Sequence, residues 1–193
     1  EKHAEGFYDG NGVYKLRFMP SCEGTYEITA VTSWGDEAKV TVEVSAADEN
    51  CHGPVRVANT YHFAYDDGKE YYPCGTTCYV RELQSKETQE KTYESLASSP
   101  FNKIRFCVFP KHYVYNLKEP AQYPFEIREN SPWSPSDFET EKLEKAPRNM
   151  FGGIDAMIEN SDEVWDYTRP NPSYFEHIEN TIARLGTMGI QAD

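Results

Sequence analysis

Polar and aromatic side chains follow each of two apolar segments that have the composition of buried strands. The first segment is followed by Tyr79, Arg81, Glu82 and Gln84, and the second by Lys111, His112, Tyr113 and Tyr115. The carboxyl ends of parallel strands meet at one edge of a sheet, and the active sites of α/β barrels form there. The sequence therefore predicts a ligand site at this edge, where hydroxyl, amide and charged groups can orient a polar ligand.

Arg105 lies inside the second apolar segment, between Ile104 and Phe106. A strand that is buried on both faces rarely carries a guanidinium without a partner, because removing a charge from water is costly. We therefore expect Arg105 to point into the ligand site and to pair with a carboxylate. The alternative is a buried ion pair that has no part in ligand binding.

His112 could act as a general base, donate a hydrogen bond to a ligand hydroxyl, or pack among its aromatic neighbours, and we favour the donor. No second His or Cys lies nearby at the spacing of a metal site, so the sequence predicts neither a bound metal nor a cofactor. The residues predicted to bind substrate are Arg105, Lys111, His112, Tyr113, Tyr79 and Trp133.

Residues 111–169 form a long connection between a predicted strand and a predicted helix. Such connections usually have about 2 to 6 residues, and much longer ones commonly act as lids or binding walls. The aromatic residues of this segment include Tyr123, Phe125, Trp133, Phe138, Trp165 and Tyr167. Their rings could stack against a ligand or pack the loop onto itself.

Residues 1–46 alternate between apolar and polar side chains in the manner of short antiparallel strands. The strand-like segments include 13–18, 25–31 and 38–44. Tyr26, near the start of a strand, resembles the tyrosine corner of immunoglobulin-like sandwiches. A small, polar segment at 46–50 indicates a domain boundary. The fold predicted for residues 1–48 is therefore the C-terminal part of an immunoglobulin-like β-sandwich.

Strand and helix signals alternate beyond this boundary. The predicted elements are a strand at 70–79, a helix at 87–98, a strand at 101–109, a helix at 172–185 and a strand from residue 190. Asp66-Asp67-Gly68 indicates a hairpin turn, and Asn171-Pro172 has the pattern of a helix start. This alternation predicts parallel strands, in either an open doubly wound sheet or a closed barrel. Gly75-Thr76-Thr77-Cys78 is not a phosphate-binding loop, which favours the barrel.

A complete (β/α)8 barrel, also called a TIM barrel, needs about 250 residues. Residues 49–193 are therefore expected to contain only its first βα units, truncated at the third strand. The chain also begins one short step before a strand-like segment, so we expect the parent protein to extend beyond both ends.

The composition indicates which kinds of partner the protein could bind and in which cellular compartment it could reside. The formal charge of −13 argues against binding to nucleic acid, which requires clustered Lys and Arg, and a neutral ligand or a cation fits it better. Taken alone, the charge is better explained as an acidic surface that keeps a bacterial protein in solution. No apolar run approaches the roughly 20 residues that span a bilayer, so no membrane partner is expected. The five cysteines have no disulfide-like spacing. Free thiols favour a reducing compartment such as the bacterial cytoplasm, with a secreted or periplasmic location as the alternative.

Two groups of motifs resemble a known family. The first group is Gly6-Phe7-Tyr8-Asp9-Gly10-Asn11-Gly12, Tyr14-Lys15-Leu16-Arg17-Phe18-Met19-Pro20 and His52-Gly53-Pro54-Val55-Arg56-Val57. It resembles the immunoglobulin-like domain that precedes the barrel of apiosidase-like glycoside hydrolases. The second group is Tyr72-Pro73-Cys74-Gly75-Thr76-Thr77-Cys78-Tyr79, Pro100-Phe101-Asn102-Lys103-Ile104-Arg105-Phe106-Cys107-Val108-Phe109-Pro110-Lys111 and Asn171-Pro172-Ser173-Tyr174-Phe175. It is similar to the opening of that family's barrel.

The resemblance implies a retaining hydrolase of the clan A type, with an acid/base carboxylate after the fourth barrel strand and a nucleophile after the seventh. Both positions are expected beyond Asp193, so the catalytic residues are unknown. Arg105 matches the arginine of the second strand in such barrels, which is expected near the nucleophile. Many relatives have an aromatic residue after the first strand, where this sequence has Arg81-Glu82, and this difference leaves the substrate open.

The resulting hypothesis is a glycoside hydrolase that acts on a plant or bacterial polysaccharide, with the present segment expected to be inactive by itself. The alternative is a carbohydrate-binding or surface-interaction module without catalysis. Both hypotheses take an oligosaccharide or polysaccharide as the partner. The unpaired strand edges of an incomplete barrel could also make the segment self-associate.

Overall fold

The computed structural model describes residues 2–110, 120–131 and 164–193 of the 193-residue chain. The chain forms two compact units that divide between Tyr72 and Pro73, with Asp9–Gly12 belonging to the second unit. This division lies later than the boundary near residue 48 that the composition indicated. The difference arises because residues 55–71 form an antiparallel sheet of their own that groups with the N-terminal strands.

The N-terminal unit consists of small antiparallel sheets. Its strands are β1 (Gly6–Tyr8), β2 (Tyr14–Leu16), β3 (Gly24–Val31), β4 (Glu37–Val44), β5 (Val55–Ala58), β6 (His62–Tyr65) and β7 (Glu70–Tyr71). β1 pairs with β2 and β3 pairs with β4, while β5, β6 and β7 form a three-stranded sheet. The strands predicted from the alternating pattern are thus present.

Separate ribbons are not a sandwich, so the immunoglobulin-like fold stays a prediction. Among the described residues of the N-terminal unit, Tyr71 alone is a buried hydrophobic residue, and Val31, Val40 and Val42 are exposed. One local feature of such sandwiches is present. The hydroxyl of Tyr26 donates a hydrogen bond to the carbonyl oxygen of Cys22 at 3.0 Å, as the tyrosine of a tyrosine corner does.

The His52-Gly53-Pro54-Val55-Arg56-Val57 motif stabilises the hairpin turn at Asp66-Asp67-Gly68. Nδ1 of His52 lies 2.7 Å from Oδ2 of Asp67, and the Arg56 guanidinium pairs with Asp66. Gly53 has a φ of +72°, and a Cβ at this position would lie 2.9 Å from the Cβ of Asp66. Glycine is therefore required by both the backbone conformation and the close approach.

The C-terminal unit contains a parallel sheet. Its strands β8 (Gly75–Thr77), β9 (Lys103–Arg105) and β12 (Gln191–Ala192) lie in the order β8-β9-β12. The predicted parallel arrangement is therefore observed, in short strands. The predicted strand at 70–79 is divided at Pro73, which has no backbone N–H to donate to a neighbouring strand. Three strands do not close a barrel, so the barrel stays a prediction.

Two α-helices connect these strands in the described part of the chain. α1 (Lys86–Ala97) begins after Ser85, whose side chain accepts a hydrogen bond from the backbone N–H of Thr88. α2 (Pro172–Thr187) begins after Asn171, whose side chain accepts from the N–H of Ser173. The predicted helix positions and the Asn171 cap are confirmed.

The core of the C-terminal unit lies between the parallel sheet and the two helices. Its buried residues are Tyr93, Leu96, Ile104, Phe106, Tyr174, Ile178, Leu185 and Ile190. Phe175, Ile178, Ile182 and Leu185 recur at helical spacing, which predicts that they share the buried face of α2. Ile182 is instead exposed, and Thr181 is buried. The buried stripe is therefore rotated toward Thr181, whose hydroxyl can be buried because it donates within the helix to the His177 carbonyl oxygen.

A two-stranded ribbon lies within the long connection. β10 (Phe125–Ile127) pairs antiparallel with β11 (Trp165–Pro170), and the register shifts between Phe125 and Glu126. Such irregularities redirect side chains and bend the strand. The ribbon brings together two segments that are about forty residues apart in the sequence.

The core position of α2 can be tested with two identical substitutions on one helix. Ile178→Ala removes a side chain that is 5% exposed, and Ile182→Ala removes one that is 45% exposed. We expect Ile178→Ala to lower the free energy of unfolding by about 2–5 kcal/mol and Ile182→Ala to change it by about 0.5 kcal/mol or less. Urea denaturation measures both, and equal losses would contradict the observed helix orientation.

Candidate functional site

The carboxyl ends of the three parallel strands carry a connected row of polar side chains. Thr77 is in register with Arg105 on the neighbouring strand. Asp193 follows β12, and its N–H donates to the carbonyl oxygen of Ile104 at 2.9 Å. Nε of Arg105 donates to Oδ2 of Asp193 at 3.0 Å. The row therefore extends from β9 to the end of β12.

Tyr79 joins this row from the loop that follows β8. Its side chain is hydrogen-bonded to the Arg105 guanidinium. The Cys78 N–H donates to the Arg105 carbonyl oxygen at 2.7 Å, which extends the β8–β9 pairing to the residue before Tyr79. Arg105 thus contacts residues from both neighbouring strand ends, and we define Tyr79, Arg105 and Asp193 as the strand-end triad.

Opposite charges set the ionisation of the strand-end triad. The hydrogen bond from Arg105, and then the contact with Lys103, hold the pKa of Asp193 below its ordinary value. Hydrogen bonds with Tyr79 and Asp193 raise the pKa of Arg105. Nζ of Lys103 lies 3.3 Å from Oδ2 of Asp193. Two cations therefore share one carboxylate, and Asp193 is ionised at neutral pH.

Arg105 is exposed, unlike the buried ion pair that the sequence left as an alternative. Its side chain is 57% exposed and that of Asp193 is 37% exposed, whereas Ile104 is fully buried. In the described chain the strand is therefore buried on one face only. Water screens an ion pair at such a position, so it adds little to stability. The guanidinium remains accessible to a ligand.

Arg81 and Glu82 do not present their side chains to a ligand. They lie in a 3₁₀ turn, Arg81–Leu83, and are 5% and 6% exposed. Arg81 pairs with Glu82, and Glu82 in turn contacts His177. The side chain of Gln84 donates to the Val80 carbonyl oxygen. Of the four residues predicted after the first strand, Tyr79 is the one that contacts Arg105.

The remaining predicted ligand contacts lie outside the described residues. These are Lys111, His112, Tyr113, Tyr115 and Trp133. Their roles, like the ligand contacts of Arg105 and Tyr79, stay predictions. Asp193 was not predicted as the carboxylate that pairs with Arg105. Its position at the end of the third parallel strand, level with Arg105, is the signal that could have identified it.

The aromatic residues of the long connection pack against one another in the described part. Tyr123 lies 4.9 Å from Trp165, and Phe125 lies 5.1 Å from Tyr167, measured between ring centroids. Phe125 also contacts Phe175 of α2 at 6.5 Å. Packing of the loop is therefore the observed role of these rings. Tyr167 still has 46% of its surface exposed, and Phe138 lies outside the described residues.

The described ranges contain neither a metal-binding cluster nor a membrane-spanning helix. Within residues 2–110, 120–131 and 164–193, no group of three or more His, Cys, Asp and Glu side chains is arranged to hold a metal ion. None of the helices in these ranges has the length and apolar character needed to cross a membrane.

Comparison with known proteins relates the chain to a glycoside hydrolase. Residues 1–33 match the family described as a domain of unknown function, DUF5060. No curated protein matches the chain. A proposed glycoside hydrolase from Bacteroides vulgatus ATCC 8482, whose crystal structure was determined at 1.80 Å resolution, shares 36% sequence identity with a TM-score of 0.75. The match covers 97% of this chain and 33% of that one.

This similarity supports the coarse assignment made from the sequence. The chain is related to a glycoside hydrolase in both sequence and fold, and it spans about a third of the length of the solved chain. The match does not test the apiosidase-like family or the retaining mechanism, and both stay predictions.

The strand-end triad makes a prediction about the ionisation of Asp193. The pKa of Asp193 is lowered in the folded state from its ordinary value of 3.8. The contacts with Arg105 and Lys103 therefore stabilise the fold at pH values above 3.8. This contribution is lost as the pH falls through the lowered pKa. Arg105→Gln should raise the pKa of Asp193 more than Lys103→Gln does, since the Arg105 hydrogen bond is the largest cause. Titration by NMR of the side-chain carboxyl carbon measures both.

Arg56→Gln is the control, because Arg56 pairs with Asp66 in the N-terminal unit. It should leave the Asp193 titration unchanged. If Lys103→Gln raised the pKa of Asp193 more than Arg105→Gln did, the assigned order of the two contacts would be wrong.

Proposed function

We propose that this chain is part of a glycoside hydrolase and supplies one wall of its saccharide site. The observation that carries the proposal is the similarity to a proposed glycoside hydrolase, at 36% identity over 97% of the chain. The strand-end triad is the place in the described fold that suits a saccharide. A guanidinium, a phenol hydroxyl and a carboxylate can each bond to sugar hydroxyls.

The proposed architecture is an immunoglobulin-like sandwich followed by the first strands of a (β/α)8 barrel. The sequential order β8-β9-β12, with a helix in each connection, supports the barrel. In such a barrel the strand-end triad would lie at the carboxyl ends of the first three strands, where barrel enzymes bind their substrates. Arg105 would bind substrate or orient a catalytic carboxylate, together with Tyr79, Lys111, His112, Tyr113 and Trp133.

The proposed chemistry is hydrolysis of an O-glycosidic bond in a plant or bacterial polysaccharide, with retention of configuration. That reaction uses two carboxyl groups about 5–5.5 Å apart, one as the acid/base and one as the nucleophile. We assign neither role to a residue of this chain. The solved relative is about three times as long as the matched region, and we propose that corresponding parts of this protein supply both groups.

A second candidate is a carbohydrate-binding module without catalysis. It is favoured by an exposed aromatic cluster in the N-terminal unit, formed by Tyr8, Tyr14 and Trp34, which are 50%, 60% and 62% exposed. The ring centroids of Tyr8 and Tyr14 are 5.2 Å apart, and those of Tyr14 and Trp34 are 5.9 Å apart. Exposed aromatic rings offer apolar faces on which sugar rings can stack.

The proposal predicts that the full-length protein releases reducing sugar from a polysaccharide. Arg105→Ala should lower kcat/KM about 10-fold or more, because a hydrogen bond to a charged group is lost. Arg56→Ala removes an arginine of similar exposure, 60% against 57%, and should leave kcat/KM within about 2-fold. Saccharide binding without release from a broad panel would favour the binding module. Equal effects of the two substitutions would contradict the role of Arg105.

A further inference from the structure

A buried network of charges ties the loop after β8 to both helices. The side chains of Arg81 and Glu82 are 3% and 4% exposed and pair with each other. Nη2 of Arg81 donates to the hydroxyl of Tyr93 on α1 at 2.5 Å. Oε2 of Glu82 lies 2.8 Å from Nε2 of His177 on α2. One short turn is therefore held by two separate helices.

Further contacts hold the same turn from α1. The side-chain amide of Gln89 donates to the carbonyl oxygens of Arg81 at 3.3 Å and Gln84 at 3.1 Å. The Arg184 guanidinium lies 3.8 Å from the ring centroid of Tyr93. Arg184 also binds Glu90 through two hydrogen bonds of 2.8 and 2.7 Å. Tyr93, which accepts the hydrogen bond from Arg81 on α1, is thus itself held by Arg184 of α2.

Stability alone is a poor explanation for burying these charges. Removing two charges from water costs as much as their attraction returns, and apolar side chains of similar volume are often as stable or more so. A buried network with satisfied hydrogen bonds does define one arrangement of the groups it contains. In this protein the network holds the turn Arg81–Leu83, which begins two residues after Tyr79.

Tyr79 connects the buried network to the strand-end triad. Its side chain is hydrogen-bonded to Arg105, and the Arg81 N–H donates to the Cys78 carbonyl oxygen at 3.1 Å. Tyr79 therefore lies between two fixed points, the β8–β9 pairing at Cys78 and the buried turn at Arg81. A displacement of the turn would move Tyr79 relative to the Arg105 guanidinium.

We propose that Arg81, Glu82 and His177 are positioning residues for the strand-end triad. They hold Tyr79 against Arg105, so that the hydrogen-bonding groups at the strand ends are arranged before a saccharide binds. His177 is the accessible member of the network, with 43% of its side chain exposed. The saccharide part of this inference rests on the proposed function, whereas the effect on Arg105 does not.

The first test observes the guanidinium N–H protons of Arg105 by NMR, without any ligand, and follows those that contact Tyr79. His177→Ala removes the donor to Glu82, and His177→Gln keeps an N–H donor at this position. Glu176→Ala changes the adjacent exposed residue of α2 and serves as the control. We expect the Arg105 protons that contact Tyr79 to exchange with water about 10-fold faster or more in His177→Ala. Exchange should stay near the wild-type rate in His177→Gln and Glu176→Ala.

A double variant covers the case in which His177→Ala does not fold. Arg81→Met with Glu82→Leu removes both buried charges together and leaves neither one unpaired, so a folded protein is expected. In this variant the Arg105 protons that contact Tyr79 should also exchange about 10-fold faster or more. Unchanged exchange in the folded variants would overturn the inference. So would a loss of thermal stability in His177→Ala with Arg105 unaffected, since that is the result of a purely structural role.

The second test uses the hydrolytic activity of the full-length protein. His177→Ala should raise KM about 10-fold, with His177→Gln restoring it, because the binding groups lose their arrangement while the catalytic carboxylates are untouched. A fall in kcat with KM unchanged would overturn the positioning role. If the wild-type protein releases no sugar, the proposed function fails, and the Arg105 exchange rates still decide the inference.

Discussion

The candidate site depends on the burial of Ile104. This residue has no exposed surface and packs in the core that contains Tyr93 of α1 and Ile178 of α2. Successive side chains of a strand point to opposite faces, so the burial of Ile104 places Arg105 on the other face. A slip of one residue would bury the guanidinium and expose the isoleucine. The hydrophobic core therefore determines which face of the sheet carries the strand-end triad.

Much of the fold could be predicted from local patterns. The cap at Asn171 and the turn at Asp66-Asp67-Gly68 depend on neighbouring residues, and helix and hairpin occur where these signals place them. The exposed position of Ile182 could not be predicted, because periodicity gives a helix an apolar stripe but tertiary contacts choose its centre. The boundary at Tyr72 also depends on strand pairing, which composition does not report.

The position of the strand-end triad could be predicted from the sequence, but its members could be predicted only in part. Tyr79 and Arg105 follow from the rule that strand ends meet at one edge of a parallel sheet. Arg81 and Glu82 follow the same strand, yet both are buried against partners on two helices, Tyr93 and His177. These partners lie 12 and 95 residues away in the sequence. No local pattern reports contacts of that kind, so an accessible charge and a buried one cannot be distinguished in advance.

The strand-end triad is proposed to bind a saccharide. The most direct measurement is an NMR titration of the protein with a panel of neutral plant and bacterial oligosaccharides, observed at the Nε–H of Arg105. The Nε–H of Arg56 serves as an internal reference, because Arg56 forms a comparably exposed ion pair in the N-terminal unit. A saturable change is expected at Arg105 and none at Arg56. Equal changes at both arginines, or saccharide binding without any change at Arg105, would contradict it.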